Sequence, residues 1–146
     1  MHVQTDVDGR STTFEIDEAL VDAPPVAIRR QVSEYARGDR RRFDLEIELP
    51  DGFLGEVMAA MTEIPYGETR TYGDLAATLD TAPVAVGQAC GRNPVPILVP
   101  CHRVVAGDGG LRGYSANGGV ETKRRLLDLE ARVVGDPVQR ELPTNE

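Results

Sequence analysis

The sequence predicts an α/β chain of the α+β kind, with a small strand-containing N-terminal lobe and a mostly helical C-terminal lobe. Three observations carry that expectation. Residues 11–16 and 43–49 alternate apolar and polar side chains, the period of half-buried strands. Phe53, Val57, Met61 and Ile64 recur at helical spacing after a Pro50-Asp51-Gly52 break. Thr71 with Asp74, then Pro83, mark the starts of two short helices in close succession.

Each element follows from local chemistry. The N-terminal lobe is placed at residues 1–49, with a helix over 26–36 opened by Pro24-Pro25 and a polar connection at Arg40-Arg41-Arg42. The second lobe is placed at 50–134. Its first helix buries the Phe53 to Ile64 stripe. The Thr71 capping box starts a helix through Leu79, and the next runs from Pro83 to a glycine stop at Cys90-Gly91. Two short helices joined by a tight turn suit a helix-turn-helix. A last helix over 120–133 is expected to bury Leu126, Leu127 and Leu129, and residues 135–146 read as a tail.

At 146 residues the chain is long enough to bury a core without staples. No apolar run approaches the ~20 residues of a membrane span, so a soluble, cytoplasmic protein with no membrane partner is expected. Two cysteines make no disulfide framework, and a free thiol suits a reducing compartment. His2 is the only histidine of the first lobe, so no metal is expected. The net charge of −8 argues against a nucleic-acid partner, but the charge is uneven. Between Arg92 and Arg132 lie Arg92, Arg103, Arg112, Lys123, Arg124, Arg125 and Arg132 against Asp108, Glu121, Asp128 and Glu130, a local basic excess. Lys123 is the only lysine, and acid excess without lysine suggests adaptation to high salt.

The run from Asn93 to Val105 ends an apolar, proline-punctuated stretch with Cys101 directly before His102. A thiol is a strong nucleophile only as thiolate, and an imidazole or cation is the usual means of shifting that equilibrium. The apolar lead-in suggests a buried strand holding the thiol on rigid backbone, with His102 on its opposite face. Read alone, Cys101 could also be a packed structural cysteine, His102 a satisfied core histidine, and Cys90 plain packing.

The same run resembles the acceptor signature of the O6-alkylguanine-DNA alkyltransferases. Pro100-Cys101-His102-Arg103-Val104, Asn93-Pro94 upstream, Gly113-Tyr114-Ser115 downstream, and Lys123 to Glu130 in the last helix match in order. Residues 64–76 match the segment that opens that family's helix-turn-helix, so the resemblance covers roughly residues 50–132.

The resemblance implies a winged-helix-like second lobe and single-turnover repair without a cofactor by a protein expected to be a monomer. Its partner would be double-stranded DNA containing O6-alkylguanine, whose alkyl group passes irreversibly to Cys101. His102 would act as base through water, oriented by Glu130, so Cys101, His102 and Glu130 form the catalytic set. Asn93 would be a hinge on the substrate side. Tyr114 would donate to guanine N3, and Ser115 would offer its N–H to O6. Tyr72 would press on the target phosphate while the base is extruded. One position departs from the pattern: where the family carries an arginine that enters the duplex, Val84 stands here, with Gln88 or Arg92 as possible substitutes. An apolar residue can wedge but cannot pair with the orphaned base. The rivals are an alkyltransferase-like lesion-binding protein with little or no transfer, and a hydrolytic cysteine enzyme.

Overall fold

The computed structural model describes residues 1–108, 110 and 119–135. The chain opens on a hairpin: β1 (His2–Val7) pairs antiparallel with β2 (Arg10–Glu15) in the register Val7↔Arg10. Asp8 and Gly9 both take positive φ, 51° and 86°, which is what a two-residue primed turn requires. β1 was not anticipated from the sequence, although Val3 and Val7 are its buried faces.

Helix α1 (Pro25–Ala36) starts on Pro25 and lays Ile28, Val32, Tyr35 and Ala36 into the core. The strand expected over 43–49 does not form. Its alternation is realised in burial, with Phe43, Leu45 and Ile47 partly covered. Among the described residues its pairing is one bridge from Ile47 to Val21, where Asp22 N–H donates to Glu46 O and Glu48 N–H to Leu20 O. The facing chain turns away into α1 too soon to pair further. The Gln31 side-chain amide instead exchanges two hydrogen bonds with the Asp44 backbone.

Helices α2 (Phe53–Thr62), α3 (Tyr72–Leu79) and α4 (Pro83–Gly91) pack on one another. The capping box is present, with Thr71 Oγ1 accepting from Asp74 N–H and Asp74 accepting from Thr71 N–H, both at 2.9 Å. β3 (Arg70–Thr71) pairs in parallel with β4 (Val104–Val105), which ties the start of α3 to the segment after Cys101. Last comes α5 (Gly119–Gly135), which buries Thr122, Leu126, Leu129 and Val133 along one face, with Lys123 and Glu130 beside them. Leu127, expected inside, is only half-buried.

Buried residues from both sides of Pro50 form one contiguous core, from Val3 and Phe14 through Ile28 and Met58 to Leu129. Among the described residues no helix is long and apolar enough to cross a membrane.

Candidate active site

The approach to Cys101 is a tight turn and not the expected strand. Prolines at 94, 96 and 100 remove the N–H groups a ladder would need. Asn93 takes over that role from the side: its Nδ2 donates to Val99 O at 2.8 Å and its Oδ1 accepts from Val95 N–H at 3.1 Å. Val99 N–H returns to Val95 O, and Ile97 between them is held at φ 73°, a conformation costly for a β-branched residue. The asparagine is buried and wholly engaged with backbone.

Cys101 begins a single 3₁₀ turn, Cys101–Arg103. With three residues per turn, successive side chains diverge by a third of a circle and do not alternate between two faces. Cys101, 2% exposed, lines a pocket of about 650 Å³ that is also bordered by Tyr72, Pro83, Val84, Gln88 and Cys90. The structure therefore brings Cys101, Tyr72 and Val84 to one cavity, with the α3–α4 pair as its rim. Val84 is 71% exposed there. Arg92 is also exposed, but caps α4 and does not border the cavity. Tyr114 and Ser115 lie outside the described residues.

His102 and Arg103 reach Glu130 on α5. His102 Nε2 lies 2.7 Å from Glu130 Oε2. Arg103 donates from Nε and Nη2, each at 2.9 Å, and Gly67 N–H donates to Oε1 at 3.0 Å. Gly67 sits at φ 82°, and a Cβ there would come within 2.6 Å of Val134. Tyr35 completes the group, its hydroxyl donating to Glu130 Oε2 at 2.5 Å. Burial alone would raise the Glu130 carboxyl, but the hydrogen bonds and charge supplied by His102 and Arg103 outweigh it and hold the group well below the usual carboxylate range. Burial lowers His102, with the positive charges of Arg103 and Lys123 acting the same way against the pull of Glu130. A neutral imidazole beside an ionised carboxylate is thus the resting state.

Lys123 is the remaining feature. It is 1% exposed, its Nζ donates to Tyr72 Oη at 3.2 Å, and it lies 5.5 Å from the centre of that ring. Burial lowers its pKa, while the charges of Cys101 and Cys90 favour its protonated form. By reciprocity the ammonium favours a thiolate at Cys101. Burial pushes the Cys90 thiol up to about 12, so Cys90 stays protonated, with Sγ 3.5 Å from Met61 Sδ. Among the described residues no group of three or more His, Cys, Asp or Glu is placed to hold a metal.

Of the residues expected at the site, His102 and Glu130 meet at 2.7 Å beside Cys101, while the contacts of Tyr35, Arg103 and Gly67 with Glu130 were not expected from the sequence. Arg103 lay inside the recognised run. Tyr35 carried no signal beyond its place in an amphipathic helix.

The model of the 6-O-methylguanine DNA methyltransferase DNA-binding domain matches residues 52–132. The methylated-DNA--protein-cysteine methyltransferase of Mycobacterium bovis is 46% identical over 103 residues, 68% of this chain and 61% of that protein. The inducible enzyme of that name from Bacillus subtilis is 45% identical over 125 residues, 84% of this chain and 66% of that one. The match thus spans about three fifths of the mycobacterial relative's length. The crystal structure of Mycobacterium tuberculosis OGT in complex with DNA superposes with a TM-score of 0.73 at 32% identity, covering 90% of this chain and 93% of that one.

Proposed function

The chain belongs to the 6-O-methylguanine DNA methyltransferase family, and from that premise we propose that it repairs O6-alkylguanine in double-stranded DNA by moving the alkyl group onto Cys101. The observation that carries the proposal is the shared cavity: the thiol, Tyr72 and the α3–α4 rim meet there, with the His102–Glu130 pair behind.

His102 accepts the thiol proton at Nδ1, through a bridging water, because Nε2 is committed to Glu130. The thiolate attacks the alkyl carbon, a C–S bond forms, and the bond from that carbon to guanine O6 breaks. The electron pair stays on the base, which takes up the proton returned by the His102 imidazolium through water and leaves as neutral guanine. A thioether is a poor leaving group, so each molecule acts once. Glu130 and Arg103 do not touch the reacting atoms; they orient His102 and stabilise its imidazolium form.

A thiol this deeply covered cannot reach a base within a stacked duplex, so the target nucleotide must be extruded into the cavity. Tyr72 faces the cavity from the first residue of α3, and in this reading it presses on the backbone phosphate. Val84, exposed at the first turn of α4, supplies an apolar wedge for the gap left behind. A cytoplasmic, reducing setting would keep Cys101 competent. The test is a duplex whose restriction site is blocked by O6-methylguanine. The protein should restore cleavage in proportion to its own amount, one site per molecule. Tight lesion binding with no restored cleavage would assign it to the lesion-binding relatives.

A further inference from the structure

Tyr35 lies outside both the matched segment and the second lobe, yet it is fully buried at the centre of the site. We propose that Tyr35 is a positioning residue of the transfer site, moderating the basicity of Glu130 so that His102 remains a neutral base protonated at Nε2. The proposal deepens the function set out above and rests on it.

The geometry fixes where each proton goes. A phenol has one proton, and the 2.5 Å contact to Glu130 Oε2 takes it. The hydroxyl oxygen can then only accept, and it lies 3.2 Å from His102 Nε2. Nε2 therefore faces two acceptors, Glu130 Oε2 at 2.7 Å and the Tyr35 oxygen, and must carry the ring proton. The donated phenol proton also disperses charge on Oε2. A carboxylate with fewer donors is a stronger base and would draw the imidazole toward imidazolium. Among the described residues, the other charged or titratable groups around His102 are Cys101 before it, Arg103 after it and Lys123 on α5, with Tyr66 near Glu130. None of them gives Oε2 a neutral hydroxyl donor.

The ring is fixed independently of its hydroxyl. It packs against Phe43 at 5.5 Å and edge-on to Tyr66 and His102 at 6.1 and 6.3 Å. Tyr35→Phe therefore keeps the packing and removes the proton donor. The experiment is an NMR titration of the His102 imidazole in the intact, unreacted protein. In Tyr35→Phe the His102 midpoint should rise by about one pH unit, a tenfold change in proton affinity. The acid limb of the transfer rate should move with it. Substituting 3-fluorotyrosine for tyrosine strengthens the donor and should move the midpoint downward, which keeps the test open if the Phe variant folds poorly. A purely structural Tyr35 would lower stability and leave the midpoint in place; superimposable titrations would overturn the proposal. Because the titration needs no DNA, a protein that transferred nothing would refute the repair function and leave this result to stand by itself.

Discussion

Arg103 clamps Glu130 on α5 to the end of α2. Two of its nitrogens hold the carboxylate at 2.9 Å while the third, Nη1, donates to the Ile64 carbonyl at 2.8 Å just beyond α2. The guanidinium thereby fixes α5 against α2 at the point where His102 must be aimed.

Removing that clamp leaves a buried carboxylate short of its main counter-charge. Arg103→Met is expected to lower unfolding free energy by about 3 kcal/mol, the range seen when one partner of a buried pair is deleted. Arg103→Lys should recover part of it, because an ammonium cannot span carboxylate and carbonyl as the planar fork does. Urea denaturation reads both; a change within ~0.5 kcal/mol in the Met variant would remove the clamp from the account.

Acid should weaken the fold in two overlapping windows. His102 has a folded pKa below its unfolded value of about 6.5, so the unfolded chain binds more protons and stability falls as pH drops below that value. Glu130 is depressed too, so its contribution is present above about pH 4.3 and is lost as pH falls further. His102→Gln should abolish the upper window and retain the lower one. Denaturation midpoints measured from pH 7.5 to 3.5 would show it; an unchanged slope between pH 6.5 and 5 in that variant would contradict the neutral, buried imidazole.

Lys123 is expected to matter for reactivity more than for stability. Lys123→Met keeps the packing of the stem and removes the ammonium near Cys101. Alkylation of Cys101 by iodoacetamide near neutral pH should slow several-fold, with the denaturation midpoint equal or higher. An unaltered alkylation rate would show that the cation does not promote the thiolate.

Val84→Arg places a charged, hydrogen-bonding side chain at the exposed rim of the cavity. The repair rate on a lesion paired with cytosine should rise if base replacement limits extrusion. A lower or equal rate would mean that the valine wedge already suffices.

Much of the fold was legible where a local rule decided the outcome. Thr71 and Asp74 form the capping box their spacing announces, and α2 buries the stripe its periodicity marks. Residues 43–49 show the limit: alternation records which side chains face inward, but a strand also needs a neighbour of matching length, and only Leu20–Asp22 was available. The turn before Cys101 was misjudged because apolar character suggested a strand while the prolines had already removed its hydrogen bonds. At the site, the Cys101–His102 adjacency was visible in the chain. Tyr35 meets Glu130 across 95 residues, a contact made by bringing α1 and α5 together and not by any local pattern.

The most direct test is intact-mass analysis after incubation with duplex DNA carrying O6-methylguanine, followed by fragmentation. The account predicts a gain of one methyl group, located on Cys101 and stopping at one equivalent, and no gain in Cys101→Ser although that variant still binds the duplex. Methylation at another residue, or full methylation of the serine variant, would contradict the assignment of Cys101 as acceptor.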